Sequence, residues 1–148
     1  MTKILLAEDE QDIRDLLTFT LTFGGYEVEA RKNGAEVVES VAEVKPDIIM
    51  LDVRMPRMTG YEACRALKAN PETSHIPVVF LSAKGQESEI EQVMEAGATA
   101  YLLKPFAPDE LLRRLGQIVE EHVKEKAGGK DKEAAPTTPS PPEKKKDS

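Results

Sequence analysis

The chain lacks most of what would tie it covalently, anchor it in a bilayer or draw it to nucleic acid. Cysteine occurs once, at Cys64, so no internal disulfide can form. Its neighbours Ala63, Ala66 and Leu67 mark it as a buried small hydrophobe rather than a reactive thiol. The two histidines, His75 and His122, have no partner at metal-ligand spacing and read as surface residues. No apolar run approaches the length of a membrane span. Acidic residues outnumber basic ones, 27 to 20, and the net charge of −7 argues against nonspecific nucleic-acid binding. The opening Met1-Thr2-Lys3-Ile4 leads straight into a strand without a signal-peptide pattern, so a cytoplasmic location is expected.

What the chain does have is alternation of two periodicities. Its 148 residues, 40% hydrophobic and 32% charged, suit one globular domain with a charged surface. Short apolar runs at Ile4–Ala7, Ile48–Leu51, Val78–Leu81 and Ala100–Leu103 are too brief for helices and read as strands. A further strand is expected where Tyr26, Val28 and Ala30 alternate with Glu27 and Glu29. Between the strands, apolar residues recur at three- and four-residue spacing. They are Ile13, Leu16, Leu17, Thr20 and Leu21 in the first helix and Val37, Val38, Val41 and Ala42 in the second. Tyr61, Cys64 and Leu67 follow in the third helix, Ile90, Val93 and Met94 in the fourth, and Leu111 to Val123 in the fifth. Asn33 and Thr59 are placed to cap helices, and Gly24-Gly25 and Gly97 to end them.

Strand character orders the sheet. The first, third and fourth runs are apolar without alternation and belong inside, while the alternating second and the short fifth belong at the edges. With right-handed crossovers, the expectation is an α/β doubly wound parallel sheet of order 2-1-3-4-5. That order sets the first and third strands side by side and brings Glu8-Asp9 to Asp52 at the carboxyl end, where Asp52 meets water. Three carboxylates held together repel one another unless a cation intervenes, and hard oxygen donors suit Mg²⁺. Ser82 at the end of the fourth strand and Lys104 after the fifth would line the same rim. Together they describe an aspartyl nucleophile, a metal ion and electrophilic donors around one phosphoryl group.

The set Leu6-Ala7-Glu8-Asp9, Asp52-Val53-Arg54-Met55-Pro56 with Gly60, Leu81-Ser82-Ala83, and Tyr101-Leu102-Leu103-Lys104-Pro105-Phe106 resembles the CheY-like receiver domain of two-component response regulators. The likeness runs from about Thr2 to Glu121. It implies a flavodoxin-like (βα)₅ domain that catalyses its own Mg²⁺-dependent phosphorylation and dephosphorylation. The phosphoryl group would come from a histidine kinase or a histidine phosphotransfer protein. The resemblance assigns Asp52 as phospho-acceptor, and Glu8, Asp9, Asp52 and the backbone carbonyl of Arg54 as metal ligands. Ser82 becomes the switch hydroxyl, Lys104 the phosphate-binding lysine and Tyr101 the aromatic whose rotamer reports activation. A cis Lys104-Pro105 bond is implied as well, while Arg54 and Lys84, at positions that vary within the family, either crowd or pair with the phosphoryl group and alter its lifetime or are simply solvated side chains.

The resemblance further implies an output surface on the fourth helix, fifth strand and fifth helix, carrying Glu91, Glu95, Tyr101, Arg113 and Arg114. There it would meet an unnamed downstream protein, and phosphorylation-linked dimerisation stays open. Thr99-Ala100 lacks the paired aspartates of the winged-helix branch, which favours a stand-alone receiver. The receiver is expected over residues 1–126, with a disordered Pro/Lys/Glu-rich tail over 127–148. A phosphorelay intermediate, or a receiver fragment of a longer regulator, is the nearest alternative. A flavodoxin-like nucleotide or FMN protein is a remote one, because Glu8-Asp9-Glu10 stands where a phosphate-cradling loop would be needed.

Overall fold

The computed structural model describes residues 2–53, 55, 58–82, 87–104 and 107–124, the last two without their side chains. Arg54, Lys84, Pro105 and Phe106, and the tail expected from Ala127, lie outside the described residues. The chain divides into a unit Met1–Arg114, which holds the sheet and the site, and a second beginning at Leu115.

Strands and helices alternate through the first unit. They are β1 (Lys3–Ala7), α1 (Gln11–Phe23), β2 (Glu27–Arg31), α2 (Gly34–Val44), β3 (Ile48–Asp52), α3 (Gly60–Ala69), β4 (Val78–Ser82), α4 (Glu87–Glu95), β5 (Ala100–Leu103) and the start of α5 (Pro108–Ile118). The end of α5 passes into a π-helix, Val119–Lys124, within the second unit. All strand pairs are parallel and the order is β2-β1-β3-β4-β5, as the run types predict. Every residue of β3 and β4 is buried, while the edge strands β2 and β5 are only partly covered. One core lies against this sheet, built from Leu5, Ile49, Leu51, Val78 and Phe80 with Val37, Val41, Cys64, Leu67 and Val93 from the helices.

Local signals for helix ends are obeyed. The Asn33 side chain accepts from the Glu36 N–H at 2.9 Å. Thr59 and Glu62 form a reciprocal capping box at the start of α3, satisfying two donors that the helix itself leaves unpaired. Gly97 closes α4 with φ of 104°, a conformation that costs a residue with a Cβ. Cys64 is fully buried, donates to the Ala96 carbonyl at 3.2 Å, and has its thiol pushed up to about 11 by that burial.

Three helical faces differ from the periodicity. In α1, Leu17, Thr20 and Leu21 are buried but Leu16 is 59% exposed. In α2, Val44 takes the inward place expected of Ala42, which is exposed. In α4, Val93 points inward as expected, yet Ile90 and Met94 are exposed and Glu89 is buried instead. The helix is turned so that Glu89, Val93 and Ala96, at positions i, i+4 and i+7, form the inner face.

Gly60 is required by close approach. A Cβ there would overlap the Asp52 carbonyl oxygen and lie 2.9 Å from Phe80 Cε1 and 3.1 Å from Val53 Cα. Gly60 N–H also donates to the Val53 carbonyl at 3.0 Å, pinning the start of α3 to the end of β3. Gly60→Ala is therefore expected to destabilise the fold by about 2–3 kcal/mol in urea unfolding, the usual cost of overpacking a rigid contact. A change below about 0.5 kcal/mol, the range of ordinary surface substitutions, would show that α3 can shift freely away from the strand.

Candidate functional site

The site sits at the carboxyl edge of the central strands because two neighbours end there together. In the β1–β3 register Ala7 is level with Leu51, so Glu8 follows β1 at the height where Asp52 closes β3. The Glu8 N–H donates to the Arg31 carbonyl at 3.1 Å, which holds the loop down as it leaves β1. One carboxylate oxygen from each of Glu8, Asp9 and Asp52 lies within 4.8 Å of the others. Glu8 is fully buried, Asp9 is exposed and Asp52 is 8% exposed. Asp52 is thus covered, rather than standing in water as its place at a strand end suggests. Val53 and Met55, both buried, carry the chain onward from it.

Lys104 reaches the cluster from two strands away. Its backbone N–H donates to the Ser82 carbonyl at 2.7 Å, extending the β4–β5 ladder by one step. From there its ammonium spans β4 to Glu8 Oε1 at 2.9 Å and Asp52 Oδ2 at 3.3 Å. The second oxygen of Glu8 accepts from the Glu10 N–H at 3.2 Å. Each carboxylate oxygen has two lone-pair directions, so these bonds leave Glu8 room for a further ligand.

The electrostatics follow from this crowding. Burial, and then the neighbouring Glu8 charge, push the Asp52 carboxyl up to about 6, against the opposing pull of Lys104. Burial by itself would lower Lys104, but its hydrogen bond to Glu8 and the charges of Asp52 and Glu8 outweigh it and hold the ammonium protonated. Three carboxylates against one touching ammonium leave about two negative charges when all are ionised. An all-oxygen donor set with that excess fits a hard divalent cation and offers no soft ligand for a transition metal.

Ser82 and Tyr101 are also brought together, on a residue that the sequence pattern did not single out. Ser82, buried at the end of β4, donates its hydroxyl to Glu89 Oε1. Tyr101 of β5 donates to the same oxygen at 2.7 Å. A second overlooked residue is Arg14, whose guanidinium donates to the backbone carbonyl of Glu8 at 2.9 Å and of Asp9 at 3.4 Å. It clamps the acidic turn from one helical turn away. Neither has a signature in sequence, because an acid or an arginine in a first helical turn is common on solvated faces. Arg54, expected to supply a carbonyl, lies outside the described residues.

The family model for the response regulator receiver domain matches residues 4–116. The chain belongs to that family. Among curated relatives, this receiver is 42% identical over 117 residues to the response regulator MprA of Mycobacterium leprae and 40% identical to that of Mycobacterium avium. Both alignments cover 79% of the chain and 50% of the relative, so the chain spans about half the length of the curated relatives it matches. Among solved structures, the chemotaxis protein CheY4 of Vibrio cholerae superposes with a TM-score of 0.76 at 33% identity, covering 79% of this receiver and 98% of CheY4. The receiver domain of sensor histidine kinase PA1611 from Pseudomonas aeruginosa gives 0.73 at 32% identity, covering 78% and 95%. That crystal structure holds a magnesium ion in its active-site cleft.

Proposed function

We propose that this receiver is a phosphorylation-dependent switch of a two-component system whose phospho-acceptor is Asp52. The observation that carries the reading is the juxtaposition of Asp52 with Glu8, Asp9 and the Lys104 ammonium in one small, mostly buried cluster. In the proposed step an Asp52 oxygen attacks the phosphorus of a phosphohistidine. The N–P bond of the donor breaks as the O–P bond forms, and the imidazole leaves with the electron pair. Lys104, already bonded to Asp52, would meet the charge gathering on the phosphoryl oxygens, and Ser82 on the neighbouring strand would turn its hydroxyl to one of them.

Glu8, Asp9, Asp52 and the Arg54 carbonyl would hold Mg²⁺. When bound, the ion would screen the charge between the carboxylates and the incoming phosphoryl group. Because Asp52 must be ionised to bind a cation, Mg²⁺ affinity is expected to fall as pH drops through about 6. The fall should approach about tenfold per pH unit below that point. Calorimetric titration checks this, and a flat affinity down to about pH 5 would place the ion away from Asp52.

The donor in this proposal is a histidine kinase or a phosphotransfer protein, and the receiver of the signal is a protein meeting the α4–β5–α5 face. A cytoplasmic location belongs to the same proposal. Among the described residues no helix is long and apolar enough to cross a membrane. The nucleotide or FMN reading is not favoured, since the acidic turn after β1 faces the place where a phosphate would need N–H donors.

The test is incubation with acetyl phosphate and Mg²⁺. The expected result is a gain of one phosphoryl group, labile to hydroxylamine, mapping to Asp52 and absent with a chelator. No gain, or a gain at another residue, would overturn the proposal.

A further inference from the structure

The α4 carboxylate of Glu89 is the feature that the phosphoryl chemistry leaves unexplained. It is 6% exposed, with one oxygen taking hydroxyl protons from both Ser82 and Tyr101. Burying a carboxylate is costly unless donors meet it, and two hydroxyls on one oxygen are an arrangement the local sequence would not produce by itself. In the same orientation of the helix the apolar Ile90 and Met94 are exposed. Glu89 thus shares the inner face of α4 with the buried Val93 and Ala96.

We infer that Glu89 is a latch that holds the unphosphorylated state by keeping the Ser82 proton away from the phosphoryl position. This rests on the reading of Asp52 as acceptor. A serine hydroxyl carries one proton, so while Ser82 donates to Glu89 it cannot donate to an oxygen on Asp52. The Glu89 oxygen that accepts this bond therefore competes directly with a phosphoryl oxygen for the one Ser82 proton. When a phosphoryl group takes the Ser82 proton, Glu89 keeps Tyr101 as its remaining donor among the described residues. Of the two bonds that Glu89 makes to the sheet among the described residues, the one to Ser82 is then lost. Glu89 touches neither Asp52 nor Lys104 in any described bond and acts as a positioning residue through Ser82.

The test measures the initial rate of phosphoryl uptake from acetyl phosphate in the full chain. Wild type, Glu89→Leu, Glu89→Gln, Ser82→Ala and the double variant Ser82→Ala with Glu89→Leu are compared. Releasing the latch should raise the rate roughly five- to tenfold in Glu89→Leu, the weight of one hydrogen bond in a two-state balance. Glu89→Gln, which keeps a weaker neutral acceptor, should fall between. In the Ser82→Ala background the Glu89 change should have no effect, which a merely structural role would not produce. The Tyr101 ring resonance in the unphosphorylated protein should shift in Glu89→Leu and stay near its wild-type position in Glu89→Gln. Equal rates in wild type and Glu89→Leu, a lower rate in Glu89→Leu, or an effect that persists without the Ser82 hydroxyl would overturn the latch. If wild type takes up no phosphoryl group at all, the Asp52 reading fails and the latch falls with it.

Discussion

Replacing Asp52 with asparagine is expected to abolish phosphoryl uptake and, in the same protein, to stabilise the metal-free fold. The first effect is chemical, because an amide has no anionic oxygen to attack phosphorus. The second comes from the environment of the carboxylate. Asp52 titrates near 6 in the folded protein, against the ordinary value of 3.8, because burial and Glu8 disfavour its charge. Between those two values the folded state holds a proton that the unfolded state has lost, so stability falls as pH rises through the window. Above it the full penalty is present. The amide side chain of Asp52→Asn has no charge to bury, so the variant should gain about 1–2 kcal/mol over wild type once solvent screening on the Asp9 side is allowed for. Urea unfolding with a chelator measures this, and the gap should close as pH falls from about 6 to 4. A variant less stable than wild type at neutral pH would mean that Lys104 outweighs both burial and Glu8.

Lys104→Ala should be damaging on both counts. The ammonium touches a fully buried Glu8 and a nearly buried Asp52, and it links the end of β5 to the ends of β1 and β3. Removing one partner of a buried pair leaves uncompensated charge, a loss of about 3 kcal/mol or more. The rate of phosphoryl uptake should drop on the order of 10²-fold, the usual effect of deleting one donor that meets developing charge. Lys104→Arg separates the two roles. It restores the positive charge and most of the stability, but its planar fork cannot place a point charge between two differently oriented carboxylates, so the rate stays low. Saturating Mg²⁺ should recover part of the stability lost in Lys104→Ala, since a divalent ion bound among the same carboxylates supplies positive charge. No recovery would place the ion outside this cluster.

The framework of the receiver is legible in the chain wherever the physics is local or depends on a simple pattern. Apolar runs without alternation mark β1, β3 and β4 as central because both their faces are covered. Asn33 and Thr59 cap their helices through bonds spanning three residues, which the sequence carries directly. Sheet order then follows from burial and crossover handedness, and with it the meeting of Glu8, Asp9 and Asp52.

What periodicity misreads is the rotation of α4. Ile90, Val93 and Met94 form the more apolar stripe, yet Glu89 faces inward. No window of the sequence contains the reason, because the two hydroxyls that receive Glu89 come from β4 and β5. Leu16 is a similar case, left exposed on α1 beside Phe19 and Phe23, which are 69% and 82% exposed.

The amino-acid order alone therefore determined the class of fold, the strand order and the set of acids with their lysine, since hydrophobic pattern and chain connectivity admit few other arrangements. Tertiary structure decided what each charge contacts and how deeply it lies. Asp52 is covered rather than solvated, Arg14 grips the acidic turn, and Ser82 and Tyr101 share Glu89. Those outcomes depend on distances between side chains from separate elements, and such distances exist only once the sheet has closed.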